Sequence, residues 1–140
     1  AGASPALNQV LSDYGLALGE AFQLRDDLLG VFGDSSVTGK PAGDDLREGK
    51  QTMLIAFANT NANVEDKKYL SENLGDPDLS SDTITKLQGI LISCGAQDFV
   101  ENRISDYLAK SLSALDSLSS ASEPKSALTE LAILATKRTA

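Results

Sequence analysis

The sequence predicts an all-α protein, and three observations lead to this fold class. Aromatic residues make up only 5% of the 140 residues and there is no Trp, while Ala and Leu, both strong helix formers, are abundant. Apolar residues recur every three or four positions over long stretches instead of alternating. The segment richest in glycine and proline, residues 33–49, separates two such stretches. With 41% hydrophobic residues, a chain of this length is expected to form one domain, residues 1–140.

The first helix is predicted over residues 4–32. Ser4 is a suitable N-cap, Pro5 suits the first helical position and Gly33 suits the position after the last turn. Residues 33–49 are expected to form an ordered loop, because functional residues concentrate in such loops. A second helix is predicted from a cap at Asp45, with Glu48 as its capping-box partner, to about Asn59.

Four further helical segments follow in the C-terminal part of the chain. One is predicted over residues 64–74, before the break LGDPDLSS. The next is capped by Ser81 or Asp82 and ends near Cys94. A long amphipathic helix is predicted from Asp98 to Ser119, and Pro124 opens the last helix.

The first helix carries an unusual polar face. Gln23, Asp26, Asp27 and Gly30 have spacings of three, one and three, so they are predicted to share one side of the helix. The opposite side is predicted to hold an apolar arc of about 120°, formed by Val10, Tyr14, Leu18, Ala21, Phe22, Leu28 and Leu29. Adjacent carboxylates on a helix are most often a solvated surface, so this pair needs a second observation.

That second observation is the pair of lysines that follows. Lys40 and Lys50 flank the segment PAGDDLREG. Lysine is a compact charge that suits a phosphate, and magnesium is held by one or two carboxylates together with substrate phosphates. The sequence therefore predicts a magnesium–diphosphate site that contains Asp26, Asp27 and these lysines.

The composition excludes several other kinds of function. A net charge of −8 argues against nucleic-acid binding through a general basic surface. Because there is no His and Cys94 is the single cysteine, a structural zinc site and an internal disulfide are excluded. No apolar run reaches the length of a membrane span, so we expect a cytoplasmic protein without stable membrane insertion.

The run GEAFQLRDDLLGVFGDSSVTGKPAGDDLREGKQT, residues 19–52, resembles the second aspartate-rich region of trans-prenyl diphosphate synthases, the polyprenyl synthetases. The shared elements, in order, are FQ at 22–23, the Asp pair, FGD at 32–34, TGKP at 38–41, DL at 45–46 and GK at 49–50. These elements cover about a quarter of the chain, and their order makes the resemblance specific.

The resemblance implies a fold, a reaction and a set of site residues. The fold is a helical bundle, the C-terminal half of an isoprenoid-synthase fold. The reaction is the condensation of isopentenyl diphosphate with an allylic diphosphate, as in geranylgeranyl or farnesyl diphosphate synthase. By this resemblance Asp26 binds Mg²⁺ directly with support from Asp27, Gln23, Lys40 and Lys50 contact the diphosphate, and Asp26 and Lys40 are catalytic. Homodimerisation is expected on the same ground.

The sequence departs from the family pattern in two respects. The family motif is DDxxD, and its last position is Gly30 here. The family's first aspartate-rich motif and its Gly-Lys-Arg segment are absent from these residues, so the 140 residues alone are expected to be inactive. Two alternatives stay open at this point. One is a non-catalytic scaffold or regulatory subunit of the same fold, which Gly30 favours, and the other is a terpene cyclase, which the Asp pair and TGKP disfavour.

Overall fold

The computed structural model describes residues 4–34, 39, 42–116, 118 and 123–137. This part of the chain is all-α, as the sequence predicts, with seven α-helices and no strand. In chain order the helices are α1 (Pro5–Phe32), α2 (Asp44–Glu48), α3 (Met53–Asn61), α4 (Val64–Asn73), α5 (Ser81–Ser93), α6 (Ala96–Asp116) and α7 (Glu123–Thr136). None of the helices in these ranges combines the length and the hydrophobicity that a bilayer-crossing segment requires.

The predicted limits of α1 are confirmed. Ser4 caps its first turn by accepting a hydrogen bond from the backbone N–H of Leu7 at 3.2 Å. After the last helical residue, Phe32, the N–H of Gly33 donates to the carbonyl of Leu29 at 2.8 Å. Local capping residues therefore set both ends of this helix.

The predicted apolar side of α1 is wrong by about 60° of rotation around the helix axis. Leu24, which the predicted arc omits, is 6% exposed, whereas Phe22, which the arc includes, is 41% exposed. The buried residues have the spacing of a continuous helical stripe: Tyr14, Ala21, Leu24, Leu28 and Val31.

The helix predicted from Asp45 to Asn59 is two helices, α2 and α3. Gly49 adopts a left-handed conformation (φ 67°) at the end of α2, which stops the helix. Thr52 then starts α3, because its hydroxyl accepts from the N–H of Ile55 at 3.5 Å. The prediction that Asp45 is the N-cap is also wrong, since Gly43 holds that position and provides no side-chain cap.

The α4 and α5 helices agree with the predicted segments, apart from one cap. Asn63 caps α4 by accepting from the N–H of Asp66 at 2.8 Å. The cap of α5 is Ser80, whose hydroxyl accepts from the N–H of Thr83 at 3.1 Å, one residue before the predicted candidates. The break LGDPDLSS between the two helices is confirmed.

The last two helices lie close to their predicted positions. Gly95, with φ at +83°, separates α5 from α6, which begins at Ala96 and not at Asp98. Asp116 ends α6, three residues before the predicted Ser119, which lies outside the described residues. The α7 helix begins one residue before the predicted Pro124.

The described residues divide into two compact units, and the expectation of a single domain for residues 1–140 stays a prediction. The first unit contains described parts of Ala1–Arg25 and Asn102–Arg138. Its core is formed by Tyr14, Leu115 and Ala132, with partly buried leucines of α1, α6 and α7 packed around them. The buried Tyr14 hydroxyl donates to the carbonyl of Leu128 at 2.7 Å, which joins α1 to α7, and burial raises the pKa of this tyrosine.

Arg25 also belongs to this first unit. Its Nε donates to the carbonyl of Thr136 at 2.7 Å, at the last residue of α7. A cation is favourable there because the C-terminal carbonyls of a helix carry partial negative charge. This explains why a charged residue can stand beside the buried stripe of α1.

The second unit contains Asp26–Glu101 and holds the end of α1, the helices α2 to α5 and the start of α6. Its fully buried side chains include Val31, Leu46, Leu54, Ile55, Leu70, Leu87, Leu91 and Val100. Gln88 of α5 donates to the carbonyl of Val31 at 2.7 Å, which fixes the end of α1 against α5. The rings of Phe57 and Phe99 stack with their centroids 4.5 Å apart.

Candidate functional site

The two adjacent carboxylates of α1 have different environments. Asp26 is exposed, and no hydrogen bond or salt bridge joins it to any residue within the described ranges. Asp27 is only 8% exposed, because it lies at the edge of the buried stripe of α1. The two acids of the predicted polar face therefore differ in exposure, and only Asp26 is open to solvent.

The Lys50 ammonium lies between two buried carboxylates. Its Nζ is 2.8 Å from Oδ1 of Asp27 and 3.2 Å from Oδ2 of Asp45. The hydrogen bond to Asp27 is the largest influence on this group and raises the pKa of Lys50, burial opposes the rise, and Asp45 adds to it. Lys50 is therefore fully charged at neutral pH and compensates the two carboxylates.

A short helix and two glycines position Asp45 and Lys50. Gly43 and Gly49, on either side of α2, both adopt left-handed backbone conformations, with φ 71° and 67°. The N–H of Lys50 donates to the Asp45 carbonyl at 3.0 Å, so both residues of the ion pair are linked through the backbone as well. The carbonyl of Leu46 accepts from the N–H of Gly75 at 2.9 Å, which ties α2 to the segment after α4.

The remaining predicted site residues are placed as follows. Gln23 is exposed on α1. Lys40 lies outside the described residues, so its predicted convergence with Asp26 stays a prediction. Within the described ranges, no three side chains of the His, Cys, Asp and Glu types cluster closely enough to hold a metal by themselves. A metal at this site would therefore need further ligands besides Asp26.

A model of the family described as polyprenyl synthetase matches residues 1–91 of the chain. This chain belongs to the polyprenyl synthetase family. The order of motifs in residues 19–52 predicts that family, and the match confirms it.

Curated relatives of this polyprenyl synthetase chain are longer proteins. Geranylfarnesyl diphosphate synthase of Aeropyrum pernix is 37% identical over 110 residues, 79% of this chain and 33% of that protein. Octaprenyl diphosphate synthase of Haemophilus influenzae is 33% identical over 138 residues, 99% of this chain and 41% of that protein. The chain therefore spans between a third and about two fifths of these two relatives.

Solved structures of polyprenyl synthetases resemble the chain closely. Geranylgeranyl pyrophosphate synthase from Corynebacterium glutamicum, complexed with isoprenyl diphosphate and magnesium, has a TM-score of 0.93 and 43% identity. The alignment covers 98% of this chain and 39% of that one. Polyprenyl synthase from Caulobacter crescentus, complexed with calcium and isoprenyl diphosphate, has a TM-score of 0.88 and 35% identity, covering 100% of this chain and 42% of that one.

Asp45 of this polyprenyl synthetase belongs to the site, although its sequence position did not indicate this role. A capping role was predicted for it because Glu48 follows three residues later. Its carboxylate is instead 9% exposed and paired with Lys50. Gly30 was the available signal, because the side chain that it lacks leaves space for the Asp45 carboxylate.

Proposed function

We propose that this polyprenyl synthetase chain provides the metal- and lysine-bearing part of a trans-prenyl diphosphate synthase, which condenses isopentenyl diphosphate with an allylic diphosphate. The observation that carries the proposal is the 2.8 Å pair of Lys50 and Asp27 directly beside the exposed Asp26. Acid and ammonium groups from distant parts of the chain meet here, as a metal-bound diphosphate requires.

The residues present fit a magnesium ion whose other ligands come from water and diphosphate. Magnesium keeps several waters and takes only one or two protein carboxylates. Asp26 is available for this role because it is exposed and unpaired among the described residues. Asp27 is bound to Lys50, so we assign it the supporting role that the family resemblance implies. When bound, the metal would neutralise charge on the diphosphate oxygens.

The lysines would act on the same diphosphate. An ammonium group has three N–H donors, and in the described part of the structure Lys50 uses two of them, on Asp27 and Asp45. The third N–H can donate to a diphosphate oxygen, because the Lys50 side chain is 39% exposed. Lys40 and Gln23 are assigned to the diphosphate on the strength of the motifs TGKP and FQ.

In the proposed reaction the allylic carbon–oxygen bond breaks, and the bonding electrons leave with the diphosphate. Lys50 stabilises the negative charge that develops on this leaving group. The double bond of isopentenyl diphosphate attacks the allylic cation, forming the new carbon–carbon bond. A proton then leaves the adjacent carbon, and the released diphosphate accepts it, so charge and atoms balance.

We propose that the chain is the C-terminal part of a longer synthase, called the full-length protein below, and the test is the variant Asp26→Ala in that protein. We expect prenyl transfer to fall by about 100-fold or more, the typical effect of removing a group that stabilises developing charge. Magnesium-dependent binding of pyrophosphate, measured by calorimetry, should weaken in parallel. The matched control is Glu20→Ala, which removes another exposed acid of α1 about 120° around the helix. Near-normal turnover of Asp26→Ala would remove this residue from the site.

A further inference from the structure

Gly30 stands where the family motif has its last aspartate, and the space beside it is filled by another acid. A Cβ built on Gly30 would lie 2.6 Å from Oδ1 of Asp45 and closer still to the rest of that carboxyl group. Asp45 itself is 6% exposed. The two residues lie on different helices, α1 and α2, so the carboxylate of α2 occupies the volume of the side chain that α1 lacks.

The backbone of Asp45 has little freedom to move away from Gly30, so a clash there must displace the Asp45 side chain. The α2 helix is flanked by two glycines that pack closely against other segments. A Cβ on Gly43 would lie 2.7 Å from Cγ2 of Ile84, and one on Gly49 would lie 3.0 Å from the Cα of Gly75. These approaches fix the helix and, with it, the starting point of the Asp45 side chain.

Resting on the proposed function, we propose that Asp45 is a positioning residue of the diphosphate site. Its carboxylate lies in the space beside Gly30 and holds the Lys50 ammonium beside Asp27. Lysine is a flexible side chain with four methylene groups, and a single partner would leave its Nζ free to rotate. Two carboxylates at 2.8 and 3.2 Å fix the ammonium, so its remaining N–H is presented in one direction.

The first test uses two variants that disturb Asp45 in different ways, in the full-length protein. Asp45→Asn keeps the shape and removes the charge, and Gly30→Ala keeps the charge and pushes the carboxylate aside. For both we expect affinity for pyrophosphate in the presence of Mg²⁺, measured by calorimetry, to fall about 10-fold, a modest loss because neither change removes a group that touches the diphosphate. The matched control is Gly89→Ala, because a Cβ on this glycine of α5 meets no atom within 4 Å.

The second test moves the carboxylate from one helix to the other. Asp45→Ala should weaken pyrophosphate binding, and adding Gly30→Asp should restore most of the lost affinity. Restoration is expected because the new side chain enters the volume that Asp45 vacates. If Asp45 had a purely structural role, the double variant would recover the melting temperature of the wild type but not its pyrophosphate affinity. That result would overturn the proposal.

The outcomes separate this inference from the proposed function. One outcome is that Asp45→Asn and Gly30→Ala keep the wild-type affinity for pyrophosphate while Asp26→Ala loses it. This outcome would refute the positioning role and leave the proposed function intact. Wild-type affinity in Asp26→Ala as well would refute both. Should Asp45→Ala fail to fold, the double variant decides, since recovery of folding without recovery of binding also refutes the positioning role.

Discussion

At the scale of single residues, Lys50 makes the strongest electrostatic interactions seen in the described structure, because it pairs with two carboxylates. Its ammonium group pairs with two carboxylates whose side chains are 11% and 9% exposed. Removing the partner of a buried carboxylate costs several kcal/mol. The pair of Asp27 and Lys50 joins residues 23 positions apart in the chain, so it also stabilises the tertiary arrangement of α1 against the segment after α2.

We therefore predict that Lys50→Met destabilises the full-length protein by about 2 kcal/mol. This is below the range for fully buried pairs, because the Lys50 side chain is 39% exposed and is partly screened by water. Urea denaturation measures the change. The control is Lys68→Met, since Lys68 and Glu72 form an exposed pair, 74% and 57% accessible, whose loss should cost less than about 0.5 kcal/mol. Equal losses of unfolding free energy in the two variants would show that the ion pairs of Lys50 stabilise the protein no more than an exposed pair does.

At the scale of elements, α2 shows how tertiary contacts can hold a helix that is too short to form alone. Five residues are well below the length at which an isolated helix is stable in water. Leu46, which is fully buried, and the close approach of Gly49 to Gly75 supply the missing stabilisation. Only glycine suits position 49, where a positive φ and a backbone neighbour coincide.

Three glycine substitutions should separate these two requirements. Gly49→Ala is expected to cost about 2–3 kcal/mol, from the left-handed conformation and the 3.0 Å approach to Gly75 together. Gly95→Ala, with φ at +83° and no neighbour within 4 Å, should cost only about 1 kcal/mol. Gly89→Ala, in the middle of α5, should raise stability by up to about 1 kcal/mol. Thermal unfolding measures all three, and a Gly49 effect no larger than that at Gly95 would refute the packing argument.

At the scale of the whole molecule, the chain lacks sequence elements that the family resemblance associates with the proposed reaction. The described residues offer one exposed, unpaired carboxylate in the site and no cluster of three metal ligands. The family's first aspartate-rich motif and its isopentenyl diphosphate segment are not among these 140 residues. The chain also spans only about two fifths of the solved structures that it resembles.

We predict that the isolated 140-residue chain does not condense isopentenyl diphosphate with an allylic diphosphate, whereas the full-length protein does. The measurement is incorporation of radiolabelled isopentenyl diphosphate into longer prenyl diphosphates with Mg²⁺ present. Product formation by the isolated chain above the level of its Asp26→Ala variant would contradict the prediction.

Homodimerisation stays a prediction, which light scattering of the full-length protein can test.

Much of the fold was predictable because its signals are local. Ser4 and Pro5 begin α1, Gly33 follows its end, and LGDPDLSS separates α4 from α5, all within a few residues of the feature that they control. The predictions that were wrong depended on contacts between distant segments. The predicted apolar arc of α1 was displaced around the helix axis from the observed one, because tertiary packing buries Leu24. Asp45 was predicted to be a cap, whereas its carboxylate binds Lys50.

The order of residues was enough to predict the helical class, the polyprenyl synthetase family and an acidic pair followed by lysines. The three-dimensional fold was needed to show which acid of the pair is exposed, that Lys50 binds the other one, and that Asp45 fills the space beside Gly30. The physical reason is the distance along the sequence between the residues that interact. Helix periodicity and caps depend on neighbours within about four positions, whereas burial and ion pairing depend on which distant segments the fold brings together.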